Sequence, residues 1–138
     1  MPCRQRDLLL VPVPFSDLTK RKIRPVVVLS NDRYNRECAD LLVAGITSNL
    51  LPRPFVVPLD TPQLEEGEMR RASLVRADKV FSIDQKIVLR RFGRAKRETF
   101  EQIRRAITAL PAASSASTAT SRMEPGGKEP SDPFRYGP

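Results

Sequence analysis

Arg76 and Asp78 stand two residues apart in the stretch Val75-Arg76-Ala77-Asp78. In extended chain, side chains at that spacing point to the same face. A guanidinium and a carboxylate so placed can serve phosphodiester chemistry. The carboxylate takes a proton from a ribose 2′-hydroxyl, and the guanidinium stabilises the charged phosphorane that follows. The same spacing suits a plain structural ion pair, which is the commoner outcome for a lone Arg-x-Asp. Two further polar groups fall where strands are expected to end, so that a rigid sheet could aim them. Arg24 precedes a strand beginning at Pro25, with Lys20, Arg21 and Lys22 in the loop before it. Lys20 and Lys22 are candidate contacts to a nucleic-acid backbone. Thr47-Ser48-Asn49 closes another strand with three small hydrogen-bonding side chains.

Composition limits the chemistry. The 138 residues contain no His, so acid–base work falls to carboxylates, Arg, Lys, Tyr or Cys. Cys3 and Cys38 are too few and too far apart for a CxxC metal or redox site, and free thiols are expected. No cofactor and no metal site are expected. No run of about 18 apolar residues is present, and the start lacks the pattern of a signal peptide, so a cytoplasmic location is expected. Lys and Arg number 24 against 16 acidic residues, a net charge of +8. The last 28 residues carry three charges of each sign, so the whole excess sits on residues 1–110. Such a charge points toward an anionic polymer, nucleic acid first.

One domain over residues 1–110 must position these groups. Residues 111–138 are rich in Ala, Ser, Thr, Pro and Gly and read as a disordered tail. Short apolar runs broken by turn signals predict five or six strands. They are Leu8–Val13, Pro25–Ser30, Asp40–Ile46, Phe55–Leu59, Ala72–Val75 and Lys86–Phe92. Pro12 and Pro14 put the far end of the first strand at a sheet edge or bulge. The Pro25 strand is expected to be buried on both faces. Glu65-Glu66-Gly67 and Ile83-Asp84 read as turns. One helix starts between Arg97 and Phe100 and runs to Leu110, with Phe100, Ile103, Ile107 and Leu110 on one face. Thr99 to Gln102 suggests a capping box, and Pro111 stops the helix. The cluster Arg90, Arg91, Arg94, Lys96, Arg97, Arg104 and Arg105 reads as a solvated surface. Together these elements predict a small, partly closed β-barrel with a C-terminal helix packed on it.

From Asp7 to Leu110 the chain resembles the MazF/PemK/Kid family of type II toxin–antitoxin ribonucleases. The opening strand Asp7-Leu8-Leu9-Leu10-Val11 is followed by Arg24-Pro25-Val26-Val27-Val28-Leu29, similar to the family's Arg-Pro-hydrophobic signature. Tyr34-Asn35-Arg36, Ile46-Thr47-Ser48, Val75-Arg76-Ala77-Asp78 and Ile83-Asp84 then follow in the family's order. The resemblance implies an SH3-like barrel of the CcdB/MazF type. It also implies a homodimer that cuts single-stranded RNA or mRNA at short sequences without a metal, leaving a 2′,3′-cyclic phosphate and a 5′-hydroxyl. Carried over by position, Asp78 is the general base and Arg76 the charge stabiliser, since Arg holds its proton too tightly to act as an acid. Arg24 and Thr47 form a further catalytic pair, and Ser48 and Asn49 contact RNA. An acidic antitoxin is the implied partner. Where some relatives carry a His in the loop after the first strand, this chain has Asp17, Lys20, Arg21 and Lys22. A non-catalytic RNA-binding or regulatory relative is the alternative. A gyrase poison like CcdB is a weaker one, because the Trp-Gly-Ile end it uses is absent and the chain has no Trp.

Overall fold

The computed structural model describes residues 2–14 and 21–114. Lys20 and the tail beyond residue 114 lie outside the described residues. In chain order the elements are β1 (Asp7–Pro14), β2 (Arg21–Val28), α1 (Asp32–Glu37), β3 (Asp40–Thr47), β4 (Val56–Leu59), β5 (Leu64–Gly67), β6 (Ser73–Asp84), β7 (Arg90–Ala95) and α2 (Arg97–Ala109). Single 3-10 turns occupy Thr61–Gln63 and Gln85–Ile87. The seven strands form one antiparallel sheet in the order β4-β6-β3-β2-β1-β7-β5. This is the expected half-barrel with a C-terminal helix, built from one strand more than the apolar runs suggested.

The runs Leu8-Leu9 and Val26-Val27-Val28 look continuous because the sheet is apolar on both faces. Leu8, Val27, Ala44, Ile46, Val57, Leu59 and Val75 form a cluster on one face with Ile103 of α2. The alternate residues Leu9, Val11, Val26, Val28, Leu41 and Val43 form a second cluster on the other face, with Cys3, Phe81, Ile87 and Val88 packed against it. All three valines of β2 are buried, as expected for the central strand. β1 is paired on both sides only as far as Leu10; from Val11 to Pro14 it is paired to β2 alone, which accommodates Pro12 and Pro14.

Several boundaries differ from the expectation. β2 begins at Arg21, because Lys22, Ile23 and Arg24 pair with Val13, Pro12 and Val11 even though no apolar run marks them. β6 does not end at Val75 and does not turn at Ile83-Asp84. It runs to Asp84 because β3 pairs with it as far as Asp40. The turn comes one step later, where the Asp84 carboxylate accepts from Lys86 N at 2.8 Å, and the next strand starts at Arg90. α1, capped by Asn31, has no counterpart among the expected elements. α2 starts at Arg97 with Lys96 as a cap residue that makes no side-chain bond. Thr99 therefore does not head a capping box; its hydroxyl donates to the Gln63 carbonyl. Phe100 and Ile103 are buried and Ile107 packs beside them, whereas Leu110 is exposed.

Glu65-Glu66-Gly67 is strand rather than turn. Polar β5 is held to the sheet by arginines. Glu65 accepts from Arg6 at 2.9 Å, and Glu66 accepts from Arg91 at 2.5 Å and Arg94 at 3.0 Å. Gly67 has φ +87°, and a side chain there would run into the Phe92 carbonyl of β7. Beneath lies the carboxylate of Asp7, which is buried and receives Arg91 at 3.0 Å, Arg94 at 3.0 Å and the Arg4 amide at 2.9 Å. Arg94 is thus withdrawn from solvent into this network, whereas Arg91, which also reaches Asp7, is exposed, as are Arg104 and Arg105 on α2. Asp7 is the buried acceptor that both arginines share, and breaking a buried ion pair costs about 3–5 kcal/mol. Asp7→Ala should therefore lose about 3 kcal/mol in urea unfolding. A loss under about 1 kcal/mol, the size of a surface pair, would show that this network does not hold β5 and β7 to β1.

Candidate active site

The site begins where the β3–β6 ladder breaks. Ala44 faces Val80 and Ile46 faces Val75, so Gly45 alone stands opposite Arg76, Ala77, Asp78 and Lys79. The extra residues form a bulge, which re-aims side chains that a regular strand would bury or splay. Edge strand β4 takes up the released backbone. Val56 pairs with Arg76, and Ala77 N donates to the Phe55 carbonyl at 3.0 Å.

Within the bulge Arg76 Nε donates to Asp78 Oδ1 at 2.9 Å and its terminal nitrogen to Oδ2 at 2.5 Å. The Arg76 side chain is 7% exposed and that of Asp78 41% exposed, so the pair joins a buried cation to an anion at the surface. Burial pushes the Asp78 carboxyl up, but the hydrogen bond and charge of Arg76 outweigh it and hold the group below its ordinary value. Asp78 is therefore a carboxylate at neutral pH.

The register brings the other residues to the same end of the same face. Arg24 and Thr47 each lie two residues past the last β2–β3 pair, Val26 with Gly45. Thr47 pairs with Leu74, and Arg76 stands two residues beyond Leu74. Side chains two apart share a face, so Arg24, Thr47 and Arg76 continue the second apolar cluster at the end where it turns polar. Lys22 extends this row and is exposed; it lies in β2, not in the preceding loop. Arg24 is partly buried, which draws its pKa down from the usual guanidinium value.

Thr47 Oγ1 accepts from Asn49 N at 3.0 Å, and Asn49 Oδ1 accepts from Leu51 N at 3.1 Å. Two successive side-chain turns thus shape the loop leaving β3, and Thr47 keeps its own proton to donate. Ser48 and Asn49 are exposed. The Tyr34-Asn35-Arg36 stretch belongs to the scaffold. Asn35 is buried, bonded to the Ser30 hydroxyl and carbonyl, and its own carbonyl accepts from Gln85. The residues around Phe55 were not singled out from sequence, although Phe55 is the one aromatic between Tyr34 and Phe81. Among the described residues, no three His, Cys, Asp or Glu side chains gather as a metal site, and no helix is long and apolar enough to cross a membrane.

Comparison with known proteins bears on the whole body of the chain. Residues 4–110 match a family model described as PemK-like, MazF-like toxin of type II toxin-antitoxin system. No curated protein sequence matches the chain. Among solved structures, MazE-MazF from Deinococcus radiodurans superposes with a TM-score of 0.63 at 21% identity, covering 83% of this chain and 99% of that one. An endoribonuclease in complex with its cognate antitoxin from Mycobacterial species gives 0.61 at 16% identity, covering 80% and 99%. The Mycobacterium tuberculosis toxin MazF-mt6 gives 0.58 at 21%, covering 73% and 93%. At such identities the likeness is one of fold.

The Arg76–Asp78 geometry has a consequence for stability. A carboxyl whose folded pKa is depressed stabilises the fold above its unfolded pKa, about 3.9 for Asp, and loses that increment as pH falls through the folded value. Asp78→Asn should therefore be less stable than wild type at pH 7, with the gap narrowing as pH drops below about 4. Urea unfolding of both proteins across that range reads the difference, and a gap independent of pH would exclude a stabilising ionised pair.

Proposed function

The chain belongs to the PemK-like, MazF-like toxins of type II toxin–antitoxin systems, and from that membership we propose that it is a metal-independent endoribonuclease cutting single-stranded RNA. The observation that carries this reading is the bidentate Arg76–Asp78 pair in the β6 bulge, with its carboxylate toward solvent and Arg24 and Thr47 on the same face.

In this reading Asp78 takes the proton of the 2′-hydroxyl beside the scissile bond. The O2′ attacks phosphorus, the bond to O5′ breaks, and a water protonates O5′, leaving a 2′,3′-cyclic phosphate and a 5′-hydroxyl. Arg76, with Arg24 and Thr47, donates to the phosphoryl oxygens as charge builds on them. In the resting protein both Asp78 oxygens accept from Arg76, which makes the carboxylate a weak base. A scissile phosphate competes for the same N–H groups. As Arg76 turns to it, Asp78 loses the contact that holds its pKa down and becomes a better proton acceptor. Lys20, Lys22, Ser48 and Asn49 contact the bound strand. The protein acts in the cytoplasm as a homodimer, and an acidic antitoxin covers the basic surface.

Purified protein incubated with a long single-stranded RNA in the presence of EDTA should give discrete cuts with 5′-hydroxyl ends. Asp78→Asn and Arg76→Ala should each slow cutting by roughly 10²–10⁴-fold, the usual contribution of a general acid–base group, while circular dichroism stays unchanged. Normal cutting by both variants would refute the site. Failure of the folded wild type to cut would favour RNA binding without catalysis, and a supercoiling assay would then test gyrase.

A further inference from the structure

Among the described residues two that are not glycine have positive φ: Arg6 at 78° and Phe55 at 59°. The first is tied down from several sides. Its amide donates to Val28 O, its carbonyl accepts from Ala95 N, and its guanidinium reaches Glu65 and the Ala95 carbonyl. Phe55 is different. A bulky side chain in the left-handed region is an outlier, and such strain concentrates at ligand sites. Its carbonyl is fixed by Ala77 N, the amide between Arg76 and Asp78. Phe55 is 40% exposed and belongs to neither apolar cluster. The loop leading to it from Thr47 also exposes Leu50 (52%) and Leu51 (63%).

We propose that Phe55 is a stacking platform for a nucleobase next to the scissile phosphate, held beside Arg76–Asp78 by its strained backbone. This inference rests on the endoribonuclease reading and identifies one contact of that site. A nucleotide joins a flat apolar base to a phosphate, and the structure offers an exposed aromatic residue whose carbonyl is bonded to the amide between Arg76 and Asp78. The Asp and Glu side chains of an acidic peptide supply the charge but no planar partner for the ring. Stacking on an aromatic side chain is tolerant of base identity, so Phe55 strengthens binding without choosing the cut position.

The chain has no Trp, so Phe55→Trp introduces a single fluorescent reporter at this position. The probe is a short single-stranded RNA spanning a cut mapped with the wild type, 2′-O-methylated at the scissile ribose so that it binds uncut. Tryptophan emission in Phe55→Trp should be quenched as this RNA is added. With the cleavable RNA, Phe55→Leu should raise KM roughly tenfold, within the range that base stacking supplies, with a much smaller change in kcat and the same cut positions. Phe55→Tyr should restore KM. Emission that does not move while RNA binds, or an unchanged KM in Phe55→Leu, would overturn the inference while leaving the endoribonuclease reading intact. Phe55→Leu that weakens self-association or capture of an acidic antitoxin segment, with KM for RNA unchanged, would overturn it in favour of a protein interface. A folded wild type that neither binds nor cuts RNA would overturn the functional reading itself.

Discussion

Val26, Val27 and Val28 all leave water, yet successive side chains of a strand point to opposite faces. The sheet must therefore be covered on both sides, and the described residues include one long helix. α2 covers one face, packing over β4 and β6 with Ile103 at the centre of the contact. The other face is closed by the curl of the sheet, the N-terminal segment at Cys3 and the turn at Ile87 and Val88. Among the described residues this second face turns polar at one end. Along β2 the buried row Val28, Val26 gives way to Arg24 and Lys22, and along β3 the row Leu41, Val43 gives way to Gly45 and Thr47. The candidate site lies where that face passes from apolar to polar.

The positive charge of the chain is distributed by the same architecture. Arg6, Arg91 and Arg94 are answered by Asp7, Glu65 and Glu66 and hold β5, β7 and β1 together. Net charge alone makes these arginines look equivalent to those of the site, because an inward ion network and a phosphate-binding surface have the same composition. The difference lies in partners far apart in sequence. Arg91 and Arg94 meet a carboxylate more than 80 residues away. Arg76 meets one two residues away, on a strand whose neighbour has let it go.

That distinction marks what was legible in the sequence. The half-barrel and its terminal helix were readable because the two-faced burial of β1 and β2 leaves unbroken apolar runs, and because α2 keeps a helical period at Phe100, Ile103 and Ile107. Elements stabilised by non-local polar contacts were not readable. β5 looks like a turn until Arg91 and Arg94 are set beside Glu66. The first residues of β2 look like loop until β1 pairs with them. At the candidate site the spacing Arg76-x-Asp78 gave the shared face, but not the bulge that turns it outward. That bulge lies in the register of β3 against β6, where Gly45 alone faces four residues, and register is not marked by local pattern.

The structural and chemical readings of Arg76 and Asp78 do not compete. A guanidinium excluded from water requires a carboxylate, and that requirement fixes both groups before any substrate arrives. Such a pair is preorganised for charge but, while intact, unsuited to proton transfer, because the hydrogen bonds that orient Asp78 also lower its basicity. On the proposed reaction, a phosphate is the ligand that can relieve this by taking up the same donors. Carboxylate basicity would then rise only where a scissile phosphate is in place, so the activating event and the correct positioning of substrate become one event. A neutral ligand or a base without its phosphate would leave the pair closed, which ties activity on this fold to the nucleic-acid backbone before any base is read.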